Sequence, residues 1–239
     1  MFDFAGLWEA AQDNLLFLLM CLLVFAGLFA AALIIERLWL KTPKQSPARR
    51  AAYIGIFGAI AAVLMYLEFP LPFAPFFYEL DFSEVPVLIC SFSLGPVAGV
   101  VCEFVKVLLK LVIKGTSTAF VGDFANFATA CSFVLPATVI YHRFKSKKGA
   151  LAGMITGTVV LAVFGSLFNA VYLLPAFAEL YGMPLDAIIA IGTDINGAIN
   201  SVSTLVLFAV VPFNIVKGVV VSVLTYLLYK HIERLFRMR

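Results

Sequence analysis

Apolar residues run along this chain in long unbroken stretches separated by short polar breaks. Stretches of about 20 such residues suffice to cross a bilayer core of ~30 Å as α-helix. The breaks predict seven helices. The first covers 14–40, and the linker 41–50 after it carries Pro43 and Pro47. The second, 51–69, stops at Pro70, and the connection 71–81 holds Pro72, Pro75 and several aromatic residues. A short helix at 83–94, with Ser83 as its N-cap and Glu84 in its first turn, ends at Gly95-Pro96. Helices at 97–113, 120–141 and 150–174 follow, the last stopping at Pro175. A loop at 175–200 leads to the final helix, 201–229. No internal repeat is visible, so an inverted-repeat architecture is not expected.

Composition turns the pattern into a class. Hydrophobic residues make up 63% of the chain and charged ones 13%, about half the charged share of soluble domains. A water-soluble fold could not hide so much apolar surface, so the fold class is an all-α integral membrane protein whose main partner is the lipid bilayer.

The net charge of +3 matters less than its placement. Arg37, Lys41, Lys44, Arg49 and Arg50 form one basic cluster, Arg143, Lys145, Lys147 and Lys148 a second, and Lys230, Arg234, Arg237 and Arg239 a third. Each is short and abuts a span, which speaks against a nucleic-acid partner. Basic residues collect on the cytoplasmic side of membrane proteins. The expectation is therefore a multi-pass protein of the plasma membrane, with its C-terminus cytoplasmic and its N-terminus outside. Only Asp3, Glu9 and Asp13 precede the first apolar run, which has no basic start and is too long for a signal peptide. His142 and His231 stand among basic residues at helix ends and are expected to be solvated or to neighbour lipid headgroups rather than to act as ligands. The four cysteines lie singly without metal-ligand spacing, so no metal is expected.

Polar groups in hydrocarbon are costly, and each asks for a reason. Glu103, Lys106 and Lys110 are spaced three and four apart on one helix. A structural ion pair, a surface facing another subunit and a ligand contact all fit that spacing. Asp123 either caps its helix or meets a ligand. Asn126 and Asn169, the latter one turn from Tyr172, either bond neighbouring helices or meet a ligand. Asn214 and Lys217 follow Pro212 inside the last span, where a cation requires a partner, an aqueous cavity or a ligand. Ala51, Gly55 and Ala59 repeat every four residues, with Gly58 and Ala62 as a parallel row. Such stripes admit a close helix, either within the bundle or from another protein. No phosphate-binding loop, zinc-protease motif, nucleophile elbow or carboxylate pair beside a nucleophile is present. Nothing in the chain points to an enzyme.

The segments Leu80-Asp81-Phe82-Ser83-Glu84-Val85-Pro86 and Ser93-Leu94-Gly95-Pro96-Val97-Ala98-Gly99 resemble the S components of energy-coupling factor (ECF) vitamin transporters. Gly115-Thr116-Ser117-Thr118, Gly122-Asp123-Phe124-Ala125-Asn126-Phe127 and Pro212-Phe213-Asn214-Ile215-Val216-Lys217-Gly218 look most like the riboflavin-specific branch. The resemblance covers roughly 51–233. It implies a six-helix substrate-binding bundle, here 51–239, with the helix and linker of 1–50 as an addition at the front. It also implies work with an ECF transmembrane coupling subunit and two cytoplasmic ATPases, and no cofactor apart from riboflavin as the transported ligand. The family's coupling surface includes small residues on its first helix, matched here by Ala51, Gly55 and Ala59. Because the resemblance begins near Ala51, residues 1–40 are expected to be dispensable for binding. One departure is Asp123, where the pattern leads one to expect Glu.

The residue chemistry suits this ligand. An isoalloxazine ring needs an aromatic slot, for which Phe82, Phe127 and Tyr172 are candidates, and its pyrimidine edge matches an Asn amide. Ribityl hydroxyls suit Asp81, Asp123, Asn126, Asn169, Asn214 and Lys217. The rival readings are an S component for another vitamin or a modified base, and a non-transporting membrane scaffold or enzyme.

Overall fold

The computed structural model describes residue 8 and residues 11–40, 42 and 46–237, with side chains as far as 228. Asp3, Glu9, Lys41, Pro43, Lys44 and Arg239 lie outside the described residues, as do the side chains of Lys230, His231, Arg234 and Arg237.

Among the described residues, helical rods occupy the apolar stretches. The first is α1 (Leu15–Leu38). In α2 (Pro47–Tyr66), Pro47 opens the first turn and the Ser46 hydroxyl accepts from the Arg49 N–H, both standard ways to start a helix. A two-residue antiparallel ladder, β1 (Phe69–Pro70) against β2 (Glu79–Leu80), folds the connection back as a hairpin. Then come α3 (Glu84–Leu94), α4 (Pro96–Lys114) and α5 (Val121–Phe144). The Ser146 hydroxyl caps α6 (Lys147–Phe168), which continues through a π-helical turn (Asn169–Leu173) into α7 (Leu174–Leu180). α8 (Leu185–Ile195) precedes the last rod, made of α9 (Val202–Leu205), a second π turn (Val206–Val210) and α10 (Val211–Arg237).

Among the described residues, five helices are long and apolar enough to cross a membrane. α4 has the length but carries Glu103, Lys106, Lys110 and Lys114. α3 has 11 residues, about 16 Å at 1.5 Å per residue, and cannot span alone. It is instead the centre of the bundle, buried along nearly its whole length by α2, α4, α5 and α10. The outer helices turn large apolar residues outward, such as Leu16, Ile56, Val159 and Leu207, as a protein bathed in lipid does. α1 lies outside this group and packs on α4 and α5.

Four local expectations are corrected. The connection 71–81 is bracketed by the hairpin ladder. The loop 175–200 contains α8, which buries Ile188 and Gly192 against Ile199 and Leu205. Ser83 does not cap α3: its N–H donates to Asp81 at 2.8 Å while its hydroxyl accepts from Lys106 at 3.1 Å. His142 is buried rather than solvated, with its Nε2 3.0 Å from the Ser91 carbonyl.

The two π turns share a cause. Each stands just before a proline, Pro175 or Pro212, inside a long rod. Proline lacks an N–H, and its ring meets the carbonyl four residues back. The wider π turn relieves that contact, and such turns recur at functional sites.

Candidate functional site

The hairpin, the start of α5, the first π turn and α10 enclose a cavity of about 340 Å³, within the range of small-molecule sites. Its apolar wall holds Phe76, Phe77, Phe177 and Phe213. Tyr78 joins this wall, its ring 4.7 Å from Phe77 and 5.6 Å from Phe213. Burial raises the Tyr78 hydroxyl above its ordinary pKa, so it stays protonated and donates to Asn169 Oδ1 at 2.8 Å.

The polar lining comes from residues that interrupt the apolar runs. Asp123 stands in the first turn of α5, with Lys110 Nζ at 2.5 Å and the Thr116 hydroxyl donating at 3.0 Å. Asn169 opens the π turn; its Nδ2 donates to the Gly165 carbonyl at 2.7 Å. Gly165 also makes room for Asn214, because a Cβ there would lie 2.8 Å from Asn214 Nδ2. Asn126 Oδ1 and Asn214 Nδ2 are buried and have no hydrogen-bond partner among the described residues. A buried amide end left unpaired costs about 1–3 kcal/mol, so these two atoms invite a bound partner.

Lys217 borders the same cavity and holds two acids, Asp81 at 3.0 Å and Glu84 at 3.1 Å. Glu84 also lies 3.6 Å from Lys106, which pairs with Glu103 at 2.6 Å. Burial alone would raise the Asp81 carboxyl, but the ammonium groups of Lys217 and Lys106 outweigh it and hold that group below the usual range. Glu68, also in the lining, pairs with Lys114. The Glu79 carboxyl is raised by burial and then by the charge of Glu68.

The structure thus brings Asp123, Asn126, Asn169, Asn214 and Lys217 to one cavity. Asp81 stands behind Lys217 rather than in the lining. Phe82 packs beside Phe69 at 5.9 Å, Phe127 lies with Phe25 and Phe104, and Tyr172 stacks on Phe168 at 5.2 Å. Of Ala51, Gly55 and Ala59, all are exposed, whereas Gly58 and Ala62 of the parallel row are buried. Sequence reasoning missed Glu84 as a cavity residue, reading it only as a helix-start acid. The signal was there: Lys106 and Lys217 are two cations in apolar runs that need acids.

The family profile for "ECF transporter, substrate-specific component" matches residues 49–229. The riboflavin transporter RibU of Staphylococcus aureus is 37% identical over 189 residues, 79% of this chain and 93% of that protein. The riboflavin transporter FmnP of Bacillus subtilis is 31% identical over 76% of this chain and 90% of its own length. A solved S component of a bacterial ECF transporter superimposes with a TM-score of 0.63 and 36% identity, over 80% of this chain and 99% of that one.

Proposed function

This chain belongs to the substrate-specific components of ECF transporters, and on that premise we propose that it captures riboflavin in the cavity just described. It is a transport protein, not an enzyme. The ring slides between Phe77, Phe177 and Phe213, and its pyrimidine edge pairs with the free ends of Asn126 and Asn214. An Asn amide presents both a donor and an acceptor, which matches the alternating edge of a flavin. The ribityl chain points its hydroxyls at Asp123 and Lys217, both of which keep hydrogen-bonding capacity beyond their ion pairs. The single observation that carries this reading is the pair of unpartnered buried amide ends in an aromatic-walled cavity.

Delivery across the membrane requires an energy source that this chain does not carry, since it has no phosphate-binding loop. A transmembrane coupling subunit and two cytoplasmic ATPases supply it. Ala51, Gly55 and Ala59 are the contact for that subunit: the stripe is exposed, and a Cβ at Gly55 meets nothing within 4 Å. The three basic clusters lie on the cytoplasmic side, which puts the ligand cavity at the outer face.

The test is direct. Protein purified in mild detergent from riboflavin-fed cells comes out yellow with a flavin absorption spectrum, and stripped protein quenches flavin fluorescence on titration. A colourless preparation that quenches nothing overturns the assignment.

A further inference from the structure

Glu36 is the one carboxylate of α1, which is apolar apart from Glu36 and Arg37, and it has found three donors. Arg50 Nη2 lies 3.0 and 3.3 Å from its two oxygens, the Thr42 hydroxyl donates at 3.3 Å, and the Val97 N–H donates at 3.1 Å. The Val97 N–H is one of the first-turn donors of α4 that no helix can satisfy internally, and the helix dipole favours an anion there. Gly95 serves this contact as well. It has φ +106°, and a Cβ on it would sit 2.7 Å from Glu36 Oε2. The break between α3 and α4 is therefore shaped to accept a carboxylate from α1.

At the other half of α1 the contacts are aromatic. Phe25 stacks on Phe104 of α4 with centroids 4.1 Å apart, and Phe17 meets Phe124 of α5 edge-on at 5.8 Å. Between the three helices lies an apolar crevice of about 220 Å³, with Leu18, Cys21 and Leu22 on one side and Asp123 on the other. Asp123 also lines the ligand cavity and is bound to Lys110. Asp123 thus stands between the α1 crevice and the ligand cavity.

We propose that α1 braces the wall of the ligand site from behind Asp123, with Glu36 as the positioning residue that locks it in place. The inference rests on the riboflavin reading above. The family match begins at residue 49, so this brace is added outside the matched segment, and it reverses the expectation that 1–40 is dispensable for binding. Without α1 the crevice opens to acyl chains beside Asp123. A charge pair facing hydrocarbon turns inward or pulls in water, and the cavity wall moves with it.

Full-length protein in lipid nanodiscs, titrated with riboflavin by fluorescence quenching, tests this. Kd is a property of folded molecules, so a loss of stability alone does not move it. Glu36→Lys sets a cation against Arg50 and the start of α4, and weakens binding at least tenfold; Glu36→Asp, which keeps the charge, recovers most of that loss. Phe25→Ala, remote from the charge cluster, loosens the same wall and shifts Kd in the same direction, and it decides the matter if Glu36→Lys does not fold. Unchanged affinity in either folded variant overturns the inference. Failure of the unaltered protein to bind riboflavin refutes the functional reading instead.

Discussion

Lys217 lies within ion-pair distance of both Asp81 and Glu84, so removing it changes more than a ligand contact. Among the described residues, Asp81, Glu84 and Glu103 share two ammonium groups, those of Lys106 and Lys217. Lys217→Met leaves Lys106 alone with three acids, and breaking a buried pair this way costs about 3–5 kcal/mol. The single variant is therefore expected to lose both thermal stability and riboflavin affinity. The double variant Lys217→Met/Asp81→Asn removes one acid together with the ammonium, leaving Glu84 to Lys106 at 3.6 Å, and should regain part of the stability without regaining affinity. Asn214→Leu separates the roles further, because Asn214 Nδ2 has no partner to abandon among the described residues. It should leave the melting temperature nearly unchanged and weaken binding about tenfold, the effect of losing one hydrogen bond of ~1.4 kcal/mol. Melting and titration of the same preparations check both, and a normal Kd for Asn214→Leu would place the ligand elsewhere.

At the scale of elements, α2 carries two small-residue rows with different fates. A Cβ on Gly58 would lie 2.7 Å from a methyl of Val105, while one on Gly55 would meet nothing. Gly58→Leu is expected to overpack the α2–α4 contact and destabilise the bundle by about 1–3 kcal/mol. Gly55→Leu should leave stability and flavin binding intact yet abolish cellular uptake, because the bulk falls on the proposed coupling surface. Loss of binding together with uptake in Gly55→Leu would assign the stripe to internal packing. The rods themselves were legible because a bilayer leaves every backbone group to be satisfied inside its own segment, so long apolar runs have only the helix open to them. The hairpin escaped, since two paired residues on each side are too few to show alternation. α8 escaped because it is short, starts after Pro184 and carries Gly192 within it, residues typical of loops. In the site, Asp123, Asn126, Asn169, Asn214 and Lys217 were legible as polar residues with no business in hydrocarbon. The aromatic wall was not: with 24 phenylalanines in the chain, no local rule selects Phe77, Phe177 and Phe213 over Phe82 and Phe127.

For the whole molecule, the decisive length is that of the rod running from Lys147 to Leu180. Its 34 residues extend about 50 Å at 1.5 Å per residue, beyond the ~40–45 Å of a bilayer with its headgroups. The expectation is that Ser146 and the turn after Leu180 emerge on opposite sides. The Ser146 end carries Arg143, Lys145, Lys147 and Lys148, whereas the opposite end carries Glu179 and Asp186 with no Lys or Arg from 175 to 200. Positive residues stay on the cytoplasmic side, which predicts the hairpin, α8 and the ligand cavity outside, where a scarce vitamin is met. In a background with Cys21 replaced by Ser, the remaining native cysteines are buried and a single introduced thiol can be read cleanly. Asp186→Cys, at an exposed position in the first turn of α8, should react with a membrane-impermeant maleimide added to intact cells. Ser146→Cys should react only after the membrane is opened. Labelling of Ser146→Cys in intact cells would invert the molecule, and with it both the face on which riboflavin enters and the face on which the coupling partners sit.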